Sequence, residues 1–178
     1  SFSLKAGAKL GNALRSLVDV ADGEIVIVGI GQPAILALGC RIRGLRIFPT
    51  DFGSGLVLPS TSSALWCWLR GGARGALLHL SRKVIAAVSS AFEQETVIDA
   101  FKYDTGRDLT GYVDGTENPK GRKAFHAAIV QGQGTGLDGS SFVAVQQWLH
   151  DFDRFASMAA KEQDNSIGRR KRDNKELA

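Results

Sequence analysis

The chain has 178 residues, enough for one domain or one and a half, and its hydrophobic (44%) and charged (22%) fractions lie near globular averages. That balance excludes a wholly disordered chain. The net charge of +4 equals the charge of one run, Arg169-Arg170-Lys171-Arg172, so bulk charge gives no support to a nucleic-acid partner.

The run itself reads as a solvated charged surface, diluted by Asp173 and Glu176. No stretch reaches the ~18 apolar residues of a membrane-spanning helix. The opening SFSLKAGAKL has no signal-peptide core. No membrane partner and a cytoplasmic location are therefore expected. Cys40 and Cys67 lie far apart, without CxxC spacing, in apolar contexts. They are expected to be buried free thiols rather than zinc ligands or a disulfide.

Leu4 to Val18 carries Leu4, Leu10, Leu14 and Leu17 near helical spacing and predicts an amphipathic helix ending before Asp22-Gly23. Glu24 to Ile30 is rich in β-branched residues and predicts a buried strand. Pro33 to Leu38 suits one or two helical turns, and Arg41 to Leu58 reads as irregular. Ser60 to Leu69 predicts a strand, ended by Gly71-Gly72. Ala73 to Phe92 is the clearest helix, with Leu77, Leu80, Val84, Ile85 and Val88 on one face.

Thr96 to Tyr103 is a further strand candidate. Gly106 to Gly139 is long, polar and glycine-rich, with a helical turn or two around Lys123 to Val130. A connection of that length is usually functional. Ser140 to His150 predicts a strand and Asp151 to Met158 a short helix, with Ser166 and Asp173 as candidate caps beyond it. The order of elements suits an α+β sandwich with helices on one face of a sheet.

Gly29-Ile30-Gly31 follows a strand, but Pro33 interrupts the pattern and no ribose-binding acid follows at the usual distance. It reads as a strand-end turn rather than a nucleotide site. His79, His126 and His150 have no second ligand at metal-binding spacing and read as structural. Trp66, Trp68, Trp148, Tyr103 and Tyr112 could relay electrons, but core packing is the expected role.

The segment GRDLTGYVDGTENP, Gly106 to Pro119, holds Asp114 and Glu117 in a tight turn. Gly115 can take positive φ at no steric cost, and Asn118 is pushed towards an extended conformation by Pro119. Such a turn presents a carboxylate at a fixed height and angle. A carboxylate that is covered by a ligand has its pKa raised by desolvation and can exchange protons near neutral pH. Spacing alone leaves a turn without chemistry equally open.

Gly111-Tyr112-Val113-Asp114-Gly115 resembles the GxxDG signature of dye-decolourising (DyP-type) haem peroxidases, and Thr116-Glu117-Asn118-Pro119 resembles its continuation in the bacterial branch. Leu65 to Arg70 is similar to the family strand that precedes its long helix. Phe101-Lys102-Tyr103 and Arg107 to Thr110 resemble the lead-in to the motif. Gly139 to Asp151 and Ile167-Gly168-Arg169 resemble segments that follow it.

The resemblance implies an α+β, ferredoxin-like fold of two halves, the second incomplete. Residues 1–110 would be a first half lacking its first strand, 111–139 the motif and its connection, and 140–178 the beginning of the second half. Asp114 would be the distal acid–base, and Gly115, Thr116, Glu117 and Asn118 would line the haem b. Hydrogen peroxide and a small-molecule electron donor such as a dye or phenol would be the substrates. The proximal histidine and distal arginine of the family are expected beyond Ala178, so the chain is expected to be cut at both ends. A homo-oligomer is expected. The alternative is a non-catalytic ferredoxin-like module that binds a partner or its own copy through open strand edges.

Overall fold

The computed structural model describes residues 1–53 and 56–177. The chain divides into two compact units, Ser1–Ile98 and Asp99–Ala178.

In the first unit the elements run β1 (Phe2–Leu4), α1 (Leu10–Val18), β2 (Val26–Ile30), α2 (Gln32–Ala37), β3 (Asp51–Gly53), β4 (Leu56–Leu58), β5 (Leu65–Leu69), α3 (Arg74–Val88) and β6 (Phe92–Gln94). Strands β3 and β4 pair with each other, within a stretch expected to be irregular. The other four form one sheet in the order β2-β5-β1-β6, antiparallel throughout. Two βαβ passages, β1-α1-β2 and β5-α3-β6, are interleaved, so each pair of strands brackets a strand of the other. This is the ferredoxin-like α+β arrangement that the sequence implied.

The first strand, expected to be missing, is present as Phe2–Leu4. Three residues are too few for alternation to show in a sequence, yet β1 pairs on both sides. The strand expected over Thr96 to Tyr103 is instead β6, and Val97 and Ile98 are exposed. The ladder with β1 ends at Gln94 opposite Phe2, after which the Glu95 N–H turns onto the Ser1 carbonyl at 3.0 Å.

Period-two alternation sends Phe2, Val26, Leu65 and Phe92 to one face. There they meet Leu10, Ala13 and Leu17 of α1 and Val84 and Val88 of α3. Leu65, Val88 and Ala91 are wholly buried, and burial of a large aliphatic side chain stabilises by about 1.5–3 kcal/mol. The same alternation corrects the expectation for the tryptophans. Trp66 and Trp68 fall on the opposite face of β5, Trp68 is 46% exposed, and the Arg70 guanidinium lies 5.0 Å above its ring.

Gly31 is a strand-end residue, as expected. Its N–H donates to the Ala64 carbonyl at 2.9 Å, and a Cβ there would overlap the Ser63 carbonyl. Close approach of two backbones explains the glycine without a nucleotide.

The second unit contains α4 (Arg122–Ala128), α5 (Phe152–Ser157) and α6 (Ala160–Ile167). The Asp151 carboxylate caps α5 by accepting from the Arg154 N–H at 3.0 Å. Helix α6 was not expected; between Ala160 and Ile167 its residues are all polar. Ser166 is not a cap but lies inside α6, where its hydroxyl donates to the Glu162 carbonyl at 2.9 Å. Gly168 ends the helix in the left-handed conformation, φ +81.

The strand expected over Ser140 to His150 is not formed. Phe142, Val143, Val145, Trp148 and Leu149 are exposed there. A strand needs a ladder partner for its N–H and C=O groups, and among the described residues none runs beside this segment. No described helix is long and apolar enough to cross a membrane.

Candidate functional site

The motif begins in a small loop closed by an antiparallel bridge between Arg107 and Val113. The Asp108 carboxylate organises this loop. Its Oδ1 accepts from the Thr110 N–H at 2.8 Å, the Thr110 hydroxyl at 2.6 Å and the Tyr112 N–H at 3.1 Å. Arg107 Nη1 donates to the Gly111 carbonyl at 2.8 Å. The Asp114 N–H donates to the Gly106 carbonyl at 3.3 Å, so Asp114 leaves the loop from a fixed point.

Asp114 is exposed. Its Oδ1 accepts from the Gly115 N–H at 2.7 Å, and among the described residues no donor reaches Oδ2. Gly115 sits at φ +68, a conformation that costs other residues energy. The Asn118 N–H donates to the Gly115 carbonyl at 3.1 Å and closes the turn. The five residues expected to form the site, Asp114 to Asn118, thus stand together in one turn, with one carboxylate oxygen bound and the other open.

A second loop, Gly168 to Leu177, meets that turn. Arg169 bridges Glu176, the Arg170 N–H donates to the Lys175 carbonyl at 2.9 Å, and the Leu177 N–H donates to the Gly168 carbonyl at 2.9 Å. Asn174 is left-handed at φ +55. Asp173 is a turn residue here, not a helix cap. Its Oδ1 accepts from the Lys175 N–H at 3.2 Å, and its carboxylate pairs with Arg170 at 3.1 Å and Arg172 at 3.6 Å.

The basic run is therefore not simply solvated. The Arg169 side chain is only 17% exposed and forms an ion pair with Glu117. Its Nη1 donates to the Asn174 carbonyl at 3.0 Å, and Glu176 lies 3.9 Å away. Asn174 Nδ2 donates to the Thr116 hydroxyl at 2.9 Å. Lys171 Nζ donates to the Thr110 carbonyl at 2.7 Å and stands 5.5 Å over the Tyr112 ring.

Tyr112 is 2% exposed, the one buried aromatic among those considered for electron relay. Its hydroxyl donates to Asp164 Oδ1 at 2.7 Å, and Phe155 meets its ring edge-on at 6.2 Å. Desolvation by burial, with the bond to Asp164 next, pushes the Tyr112 phenol up to about 12. The same bond, followed by the Lys171 N–H, holds the Asp164 carboxyl below its ordinary value.

Arg169 was read only as part of a solvated basic run and of a family-like segment, and Asn174 was not singled out from the sequence. The turn-forming pair Asp173-Asn174 inside a charged stretch was the available signal for this loop. The three histidines are exposed, and His150 stacks on Phe152 at 5.2 Å. Among the described residues no three His, Cys, Asp or Glu side chains gather as a metal site. Cys40 is exposed rather than buried because it follows the end of α2 on the surface; Cys67 is half-buried on β5, and burial pushes its thiol up to about 11. A cavity of about 370 Å³ beside α2, lined by Gln32, Ile35, Leu36, Cys40 and Ile42 among others, includes no motif residue.

The sequence pattern of the family described as Dyp-type peroxidase, C-terminal, matches residues 105–178, the stretch that builds this turn and its supporting loop. A dye-decolorizing peroxidase from Rhodococcus erythropolis is 35% identical over 159 residues, covering 88% of this chain and 47% of that protein. The chain belongs to the dye-decolourising peroxidase family. It spans about half the length of the curated relatives it matches.

Solved family structures match as well. DyPB from Rhodococcus jostii RHA1 aligns with a TM-score of 0.76 at 28% identity, over 99% of this chain and 62% of that one. A variant of the same protein in complex with haem aligns with a TM-score of 0.72 at 26% identity, over 99% of this chain and 63% of that one. The exposed turn, with Asp114 Oδ2 open, leaves room for one face of a planar group. Within the second unit, His126 and His150 are exposed and, among the described residues, make no contact with the turn, so neither is placed to hold the iron there.

Proposed function

We propose that the protein is a haem-dependent peroxidase that uses hydrogen peroxide to oxidise dyes or phenolic donors, with Asp114 as its acid–base. The observation that carries this reading is the Asp114 carboxylate, held at Oδ1 by the Gly115 N–H and open at Oδ2, within the stretch that matches the family. Haem, when bound, supplies the iron chemistry and the capacity for one-electron oxidation. Gly115 and Asn118 would line its face. Thr116 and Glu117 would join them through the backbone, since their side chains are engaged by Asn174 and Arg169.

Asp114 Oδ2 accepts a proton from one oxygen of peroxide and returns it to the oxygen that leaves as water. The bond at Oδ1 restrains rotation of the carboxylate and leaves Oδ2 open. The test is an absorption spectrum with haem supplied, followed by peroxide-dependent dye bleaching. A Soret band that responds to peroxide is expected, and Asp114→Asn should lower turnover by about 10²- to 10⁴-fold. Wild-type rates in Asp114→Asn would remove the role given to Asp114.

A second reading, a non-catalytic module that associates with its own copy, is favoured by one observation. Phe142, Val143, Val145, Trp148 and Leu149 form an exposed apolar run of strand-like sequence. It predicts an oligomer by light scattering and no chromophore. Oligomerisation is also compatible with the peroxidase.

A further inference from the structure

We infer that Arg169 and Asn174 are positioning residues for Asp114, acting together from one loop on the middle of the motif turn; this rests on the acid–base role proposed above. Left to itself the turn is weakly determined. Among the described residues its internal bonds are those from the Gly115 N–H to Asp114 Oδ1 and from the Asn118 N–H to the Gly115 carbonyl. Gly115, at φ +68, has more backbone freedom than any other residue type. A carboxylate that must deliver a proton to one oxygen needs a tighter frame than two local bonds.

The frame comes from the far end of the second unit. Thr116 and Glu117 are the central residues of the turn, and each is held by one side chain of the 168–177 loop. The Arg169 side chain is only 17% exposed, so its charge has lost most of its water and depends on its partners. Those partners are the Glu117 carboxylate and the Asn174 carbonyl, with Glu176 at 3.9 Å. A guanidinium is planar and donates in fixed directions, so it transmits orientation as well as attraction. Asn174 accepts a left-handed backbone, φ +55, while its amide donates to Thr116. Arg169 is thus committed to the turn and leaves Asp114 free for chemistry.

The test compares Arg169→Ala, Arg169→Lys, Glu117→Gln and the charge swap Glu117→Arg with Arg169→Glu in the haem-loaded protein. Two quantities are read: hydrogen exchange of the Asn118 amide and the rate of the peroxide reaction. Arg169→Ala should speed Asn118 exchange about tenfold or more and slow the peroxide reaction by about 10- to 100-fold. Arg169→Lys should fall between, and the swap should recover a large part of both. If Arg169→Ala does not fold, Glu117→Gln gives the same exchange readout from an exposed side chain. Unchanged Asn118 exchange in these variants would overturn the inference, even where Asp114→Asn still abolishes turnover. If Asp114→Asn keeps wild-type rates, the acid–base reading falls, and with it the catalytic meaning of the clamp.

Discussion

The Tyr112 hydroxyl donates to Asp164 Oδ1 at 2.7 Å across 52 residues of sequence, tying the motif to α6. The bond has consequences at both ends of the pH scale. Tyr112 ionises at about 12 rather than its ordinary 10.0, because the folded state disfavours its phenolate. Its stabilising contribution is complete below about pH 10, where neither state is ionised. It is lost as pH rises from there through the folded value of about 12. Asp164 is lowered, so its contribution is present above the ordinary carboxylate value and is lost as pH falls through its depressed folded value. Tyr112→Phe should remove the alkaline limb, weaken the acid limb and cost about 1 kcal/mol near neutral pH. Urea midpoints measured across the pH range check all three; an unchanged alkaline limb would mean that Tyr112 is not the group responsible.

Gly115→Ala should destabilise the motif by about 1–2 kcal/mol, because φ +68 is costly for alanine. The added Cβ would also lie 2.7 Å from Asn118 Nδ2, but that is the end of a side chain and can move. Backbone strain is therefore the larger part. Gly115→Asn should cost less than Gly115→Ala, since asparagine visits the left-handed region more readily. Denaturation midpoints of the two variants decide it. Equal losses would place the cost in crowding instead.

At Gly31 the ranking of causes reverses. A Cβ would overlap the Ser63 carbonyl, which is backbone leading into β5 and cannot swing away while the Gly31 N–H holds the Ala64 carbonyl at 2.9 Å. Gly31→Ala should cost about 1–3 kcal/mol through forced backbone shifts. Gly72→Ala, with nothing within 4 Å of its Cβ, should be neutral or slightly stabilising. Thermal unfolding of both variants gives the comparison, and near-equal stability would show that the β2–β5 approach is looser than described.

Contacts near in sequence were readable and contacts far apart were not. Helix α3 announced itself through Val84 and Val88, and the β2 and β5 strands through short apolar runs. β1 escaped because three residues carry no period, although its pairing on both edges completes the sheet. Ser140 to His150 failed for the opposite reason: the pattern is local, while a strand depends on a neighbour. The turn at Asp114 to Asn118 was legible because its backbone chemistry is local, with Gly115 at positive φ, whereas its reading as a site came from the family resemblance of the motif. Arg169 was hidden in a run of like charges, and only the fold brings it to Glu117, 52 residues earlier.

The two cysteines should differ sharply in reactivity. Cys40 is exposed just beyond α2, whereas Cys67 lies half-buried on β5 opposite Val28. Burial pushes the Cys67 thiol up to about 11, so almost none of it is the reactive thiolate near neutral pH. A thiol reagent applied to the native protein should therefore label Cys40 promptly and Cys67 only after unfolding. Mass spectrometry of the peptides, with and without denaturant, reads the two sites separately. Comparable native labelling of Cys67 would require β5 to open without global unfolding. That strand pairs with both β2 and β1 and carries the wholly buried Leu65, so such opening would contradict the central place assigned to it in the sheet.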